Sequence, residues 1–540
     1  MNMFQLSDLT LDQKIGQLFI GGFHDIVPDE QVKILIEQYA IGGVIYFRRN
    51  IGTPQQIIQL STDLQQMAAS SELPPLFISI DQEGGMVSRI DREELSLIPG
   101  NMSLGAADHP ELTGQVAAIS ARELRMLGIN LNLAPCIDVN NNPRNPVIGV
   151  RSYSEKPDKV AEHGAAAITA MQAEQVAATA KHFPGHGDTD TDSHYGLASV
   201  PYDRSRLESV ELLPFQRAIE AGVDLIMSAH VIFPAFEPEQ IPATLSPSVL
   251  TGLLREQMGF QGLIITDCLE MHAIAKHFPI PEAAVRSLQA GADLLLVSHT
   301  LTDQVAAIEA VRAAVAEGRL TEERIDESVQ RILSLKARRE MNQPIRKDAD
   351  QAIRLHTSES EKVLREASLR SITVVKDNGQ LPLSIKQQGL VIWLQVTRET
   401  EVDEPAGHQT SLAEALRAYH IVTDEMVVDA ELENAQIEQV MRRAQTADFI
   451  LMATYTSAGE LPAGQARLTA ALAALPDLPV IVISVRNPYD MNHLPEVDTY
   501  ICCYENRKYT IEALAAVLTG NQPSTGKLPV SLNEYYPAEV

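Results

Sequence analysis

The densest group of proton-transferring side chains in the chain is the stretch KHFPGHGDTDTDSHYGL, which begins at Lys181. It holds three histidines, His182, His186 and His194, among the aspartates Asp188, Asp190 and Asp192. Gly185, Gly187 and Gly196 permit sharp turns there, and a polar loop of this kind has the character of a functional segment. Asp192 and His194 lie two residues apart. In a locally turned backbone the carboxylate accepts from one imidazole nitrogen and leaves the other to exchange a proton. Such a dyad is a general acid and base: a histidine titrating near neutrality can protonate a leaving group and later deprotonate water.

Further charged residues stand where apolar runs stop. Asp81 ends one run in SIDQEGGMVSR, Lys181 and His182 end another, His230 follows MSA, and Asp267 follows IIT in IITDCLEM, while Arg151 lies beyond a fifth run. Each charge must be solvated or paired, which is a poor arrangement for stability alone. The bland alternatives are specific. Asp267 with Glu270 fits a capping box, Asp81 fits a helix cap, Lys181 fits a solvated strand end, Arg151 fits a structural ion pair, and His182 and His230 fit satisfied imidazoles.

Other motifs fail on their spacing. GNQPSTGKLPV has five residues between its glycines and Leu528 after Lys527, which breaks a phosphate loop, and no G-x-G-x-x-G follows a strand. A calcium loop starting at Asp188 would need glycine at Ser193 and glutamate at Ser199. A zinc site from His182, His186 and His194 is the weaker reading of that cluster. No metal and no cofactor are therefore expected.

Eight short apolar runs recur along the chain, each followed by a segment of helical period. They start at Leu18, Gly43, Leu76, Ile129, Ala177, Leu225, Gly262 and Ala292. Several lack alternation, as parallel strands covered on both faces do. Ala-rich stretches lie between them, including one from Asp303 with Thr302 as N-cap and Gly318 as terminator. Eight units predict an N-terminal (β/α)8 barrel over residues 1–340, with an open doubly wound sheet as the competitor. The charged residues then fall at the C-terminal strand ends, where barrel enzymes assemble their sites. Residues 341–368 read as a charged helical linker, and residues 369–540 as a C-terminal α/β domain. Its strand candidates are SITVVKD, GLVIWLQV, FILMATY, LPVIVISV and TYICCY.

Composition bounds the partners. The 540 residues carry 43 Lys+Arg against 71 Asp+Glu, a formal charge of −28 that repels nucleic acid and anionic membranes. No apolar run reaches about 18 residues, so no membrane span is expected. The four cysteines, Cys136, Cys268 and the neighbours Cys502 and Cys503, lack the spacing of a disulfide framework or a zinc site, and with an N-terminus without a basic leader they point to the cytoplasm. Oligomeric state is not readable.

KHFPGHGDTDTDSH, the DQEGG segment, IITDCLEM, MSAHV, PATLS and GKLPVSL together resemble glycoside hydrolase family 3. The Asp-x-His form of the long loop resembles the family's two-domain bacterial β-N-acetylglucosaminidase branch. The resemblance implies a (β/α)8 barrel followed by an α/β sandwich, and retention through a glycosyl-enzyme intermediate. It also implies Asp267 as nucleophile, His194 as acid/base with Asp192 as its partner, and Asp81, Arg89, Arg151, Lys181, His182 and His230 as sugar-binding residues. The implied partner is an N-acetylglucosamine-containing glycoside, with recycled cell-wall muropeptides as its source. A phosphorylase of the same branch, a non-catalytic sugar-binding protein and a metal-dependent hydrolase are the alternatives. Met86 and Val150 depart from the family's usual residues. The second domain, lacking an acid/base, is expected to cover the barrel mouth or extend the aglycone subsite.

Overall fold

A computed structural model describes residues 4–92, 94–190, 196–343, 355–395, 410–457 and 459–540. Eight strands form the first sheet: β1 (Phe19–Gly21), β2 (Gly43–Tyr46), β3 (Phe77–Ile80), β4 (Leu131–Asn132), β5 (Ala177–Phe183), β6 (Leu225–Ser228), β7 (Leu263–Thr266) and β8 (Leu295–Val297). They pair in parallel in sequence order, β8 pairs with β1, and the Ile265–Leu294 bridge joins β7 to β8. The sheet is therefore a closed (β/α)8 barrel, and the open doubly wound alternative is excluded. All eight strands correspond to the runs expected from sequence. Their residues are buried throughout, as strands packed inside a barrel and under helices must be.

The helices carry ordinary start signals. Thr53 caps Pro54–Ser70 by accepting from the Gln56 N–H (3.3 Å), and Pro110 and Pro157 open Pro110–Met126 and Pro157–Ala173. One expected cap is displaced: Leu301–Ala316 begins before Thr302, which falls in its first turn.

The second domain holds a six-stranded sheet: β9 (Thr373–Asp377), β10 (Gln388–Gln395), β11 (Val422–Asp429), β12 (Phe449–Thr454), β13 (Val480–Ser484) and β14 (Thr499–Cys502). Its order is β9-β14-β13-β12-β10-β11, with only β9 antiparallel to its neighbour. Helices pack in two groups, Leu412–Arg417 with Lys508–Leu518 and Asn434–Ala444 with Ala463–Ala473, around fully buried β12 and β13. This is the α/β sandwich. Strand β11 is the element that sequence reading missed.

Part of the segment read as a linker is a packed helix, Ser358–Ser371. It contacts the barrel-side helices Asn101–Ala107 and Pro110–Met126 and also Lys508–Leu518. Its buried stripe is Ser360, Leu364, Ala367, Ser368 and Ser371, in which Leu364 is the one large apolar side chain, so the stripe is weak in a hydropathy reading. No helix among the described residues is long and apolar enough to cross a membrane.

Candidate active site

A cavity of about 460 Å3 opens at the C-terminal ends of the barrel strands. Asp81, Arg89, Arg151, Lys181, His182 and Asp267 all line it. Sequence placed these residues from 81 to 267, and the closed barrel brings them to one wall. Among the described residues, every lining side chain comes from the barrel domain.

Asp81 follows β3 directly, and the chain continues extended through Gln82–Gly84, which puts Glu83 on the same face as Asp81. Lys181 Nζ lies between them, 2.8 Å from Asp81 Oδ1 and 2.7 Å from Glu83 Oε1. Arg151 meets Glu83 in a two-pronged pair, with Nη2 at 2.8 Å from Oε1 and Nε at 3.0 Å from Oε2, and its Nη1 donates to the Val147 carbonyl. Burial pushes the Glu83 carboxyl up, but Arg151 and Lys181 outweigh it and hold the group well below the usual carboxylate range. Lys181 and Arg151 are correspondingly held up, burial being outweighed by Asp81 and Glu83 for the lysine and by Glu83 for the arginine. Glu83 was not singled out from sequence. Its spacing of two from Asp81 was the available signal.

Lys181 and His182 are consecutive, yet both face the cavity. The β5–β6 register slips between Lys181 and Phe183, and such a bulge re-aims a side chain. His182 Nδ1 donates to Asp138 Oδ2 at 2.7 Å, and its backbone N–H also points at that carboxylate. The His186 N–H donates to Asp138 Oδ1 at 2.6 Å, and Cys136 Sγ donates to Oδ2 at 3.2 Å. Burial raises the Asp138 carboxyl, but His182 and His186 outweigh it and bring it to about 2. Asp138 is thus an ionised anchor for the start of the long loop, and its role was invisible in sequence. The loop then lies on the segment after β4: a Cβ at Gly187 would fall 1.7 Å from the Val139 carbonyl oxygen, so the approach requires glycine.

Asp267 follows β7, and its Oδ1 accepts from the Cys268 N–H at 2.7 Å. Glu270 does not cap the next helix, His272–Ala275, as the capping-box alternative required. It accepts instead from the backbone N–H groups of Ser298, His299 and Thr300 at 2.6, 2.7 and 2.9 Å, tying the β7 loop to the β8 loop. His230 is placed behind this wall, 1% exposed. Its Nε2 donates to the Cys268 carbonyl and its Nδ1 pairs with Thr244 Oγ1, both at 2.9 Å, so it braces the backbone beside Asp267. Phe47 forms an apolar floor over which Arg49 and Arg89 stack, at 4.4 and 5.7 Å from the ring centroid, and the His299 ring packs 5.0 Å away. These three contacts were also missed.

Asp192 and His194 lie outside the described residues. Two described clusters have metal-ligand chemistry, Cys136–Asp138–His182 and Cys268–Glu270–His299. In each the carboxylate is already committed to protein donors.

Ionised carboxylates and cations fixed around a polar cavity suit a neutral polyhydroxylated ligand, whose hydroxyls donate to the former and accept from the latter. The Glycosyl hydrolase family 3 N terminal domain pattern matches residues 10–335, and the corresponding C-terminal domain pattern matches residues 289–536. The structure of a family 3 β-N-acetylglucosaminidase from Paenibacillus sp. str. FPU-7 superposes with a TM-score of 0.94 at 44% identity, over 98% of this chain and 100% of that one. A β-N-acetylglucosaminidase/β-glucosidase from Cellulomonas fimi is 30% identical over 97% of this chain and 94% of its own. β-Hexosaminidase A from Pseudoalteromonas piscicida is 39% identical over 65% of this chain, a match spanning 62% of that relative's length. The chain belongs to glycosyl hydrolase family 3 and contains both of the family's domains.

Proposed function

We propose that this protein hydrolyses terminal, non-reducing β-linked N-acetylglucosamine by double displacement. Asp267 attacks the anomeric carbon while protonated His194, oriented by Asp192, delivers its proton to the departing glycosidic oxygen. Water then attacks the glycosyl-enzyme ester as His194 takes the proton back, and Asp267 leaves as carboxylate. Asp81, Glu83, Lys181 and Arg151 orient the sugar through charge-assisted hydrogen bonds. The observation that carries this reading is the convergence of that ionised cluster and Asp267 on one cavity, in a chain 44% identical to a solved β-N-acetylglucosaminidase. The sequence motif carries the roles of Asp192 and His194.

The proposed source of substrate is recycled cell-wall muropeptide in the cytoplasm. The four cysteines, all buried free thiols, suit a reducing compartment.

The test compares p-nitrophenyl β-N-acetylglucosaminide with the β-glucoside. Faster turnover of the glucoside would sink the N-acetyl assignment. NMR of the first-formed anomer should report β-N-acetylglucosamine, and the α anomer would exclude retention. Added phosphate should change neither rate nor product; release of a sugar 1-phosphate would make the enzyme a phosphorylase.

A further inference from the structure

After β14, the Tyr504–Arg507 turn leads into Lys508–Leu518 and reaches out of the second domain to the barrel. Glu505 and Arg507 are only 1% and 4% exposed. Glu505 accepts from the Gly100 N–H at 2.8 Å and from Thr510 Oγ1 at 2.7 Å. Arg507 donates through Nε to the Gly85 carbonyl at 2.7 Å, while Nη1 lies 3.4 Å from Asp91 Oδ1. One guanidinium thus holds both ends of the Gly85–Asp91 arm.

That arm carries Arg89 into the cavity, directly after Asp81 and Glu83. It is stiffened from inside by Gln82, which donates to Ser88 Oγ at 2.8 Å and accepts from the Ile90 N–H at 3.1 Å. Gly84 and Gly85 take positive φ, +98° and +53°, where the arm turns against Ile98–Gly100. Met86 is buried in the apolar core of the second domain. At the far end of the arm, Arg89 Nη2 stands 3.7 Å from Asp81 Oδ2. Arg507 itself does not line the cavity.

We propose that Arg507 is a positioning residue for sugar binding. Its planar fork sets the arm that presents Arg89, so the second domain tunes substrate affinity through the barrel's own loop. The proposal rests on the reading of this cavity as the sugar site. It predicts a binding defect with the chemistry largely intact, because Asp267 stands on a different strand end.

In the full chain, Arg507→Ala should raise KM for p-nitrophenyl β-N-acetylglucosaminide about tenfold while kcat changes less than about threefold. Arg507→Lys should be intermediate, and added guanidinium ion should restore most of the lost kcat/KM in Arg507→Ala. Lys527→Ala cuts another ion pair of the same interface, Lys527–Asp108 at 2.6 Å, and should leave KM unchanged. A folded Arg507→Ala with KM within about twofold of wild type overturns the proposal. So does a KM rise that guanidinium fails to reverse, or an equal rise in Lys527→Ala. If Arg507→Ala does not fold, Asp91→Asn must raise KM in the same sense, and an unchanged KM there is equally fatal. Failure of the functional reading itself is separate, since the wild-type chain would then not turn over the N-acetylglucosaminide.

Discussion

Glu83 is the residue on which the cavity's charge balance depends, because two buried cations share its carboxylate. Breaking a buried pair by removing one partner's charge typically costs about 3–5 kcal/mol, since the other charge is left uncompensated. Glu83→Gln should therefore lower the melting temperature measurably and weaken sugar binding; a variant melting like wild type would show that Arg151 and Lys181 find other partners. Asp267 makes the opposite profile. It is half-buried at the cavity wall, so Asp267→Ala should leave the melt nearly unchanged and reduce kcat at least about a thousandfold, the scale of losing a nucleophile. Near wild-type turnover would remove it from that role. Asp138 gives a pH signature. Its carboxyl is held at about 2 in the fold against about 3.9 in an unfolded chain, so its stabilisation is present above pH ~4 and is lost as pH falls towards 2. Denaturant midpoints of Asp138→Asn should consequently fall less steeply than those of wild type across that window.

Among the elements, the helix Glu322–Arg338 closes the bottom of the barrel with an unusual plug. Lys336 is 3% exposed, and its ammonium donates to Gln17 Oε1 at 2.8 Å and to the Gly42 carbonyl at 3.0 Å, over the Phe77 ring. Burial pushes this amine down to about 7. Between pH ~7 and the ordinary lysine value of about 10.4, the unfolded chain holds a proton that the folded chain gives up, so stability rises with pH there. Relative to Lys336→Met, wild type should gain up to roughly 1.4 kcal/mol per pH unit across that window, measured by chemical denaturation; parallel curves would contradict it. None of this is legible from Lys336 in the sequence, where it is one charge on an amphipathic helix. What was legible had a local cause. Several of the barrel strands are unbroken apolar runs because both their faces are covered, and the charges that stop them mark the strand ends. Strand β11 escaped because it is the sheet edge, with Val422 and Val427 more than half exposed and Asp424 and Glu425 at its centre. Glu83 and Asp138 escaped for another reason: their partners, Arg151 and His182, lie 68 and 44 residues away and meet them only once the barrel closes.

At the scale of the whole molecule, the formal charge of −28 matters less than the way the two domains are joined. A neutral sugar does not feel the long-range field, whereas the domain contact reaches the site's loops directly. The segment after Arg151 is tied across by Ser154 Oγ to the Pro529 carbonyl at 2.7 Å and by Glu155 to the Ser531 N–H and hydroxyl at 2.8 and 2.6 Å. Beneath these polar ties, Met86, Met102, Ala106 and Val150 of the barrel chain belong to the second domain's apolar core. Met86 and Val150, the two departures from the family's usual residues, are thus both domain-contact residues. Domains in one chain move independently by default unless their interface is extensive and apolar. Here a shared apolar cluster lies under a buried ion pair and hydrogen bonds, so separating the domains would expose Met86 and Val150 and strip Glu505 and Arg507 of their barrel partners, Gly100, Gly85 and Asp91. The two domains should therefore unfold together. Differential scanning calorimetry of the full chain is expected to give one transition whose calorimetric and van't Hoff enthalpies agree. Arg507→Ala should broaden that transition or split it, since it removes the buried tie nearest the site. Two well-separated transitions in the wild-type protein would mean that the domain contact is too weak to set the geometry of the cavity's loops.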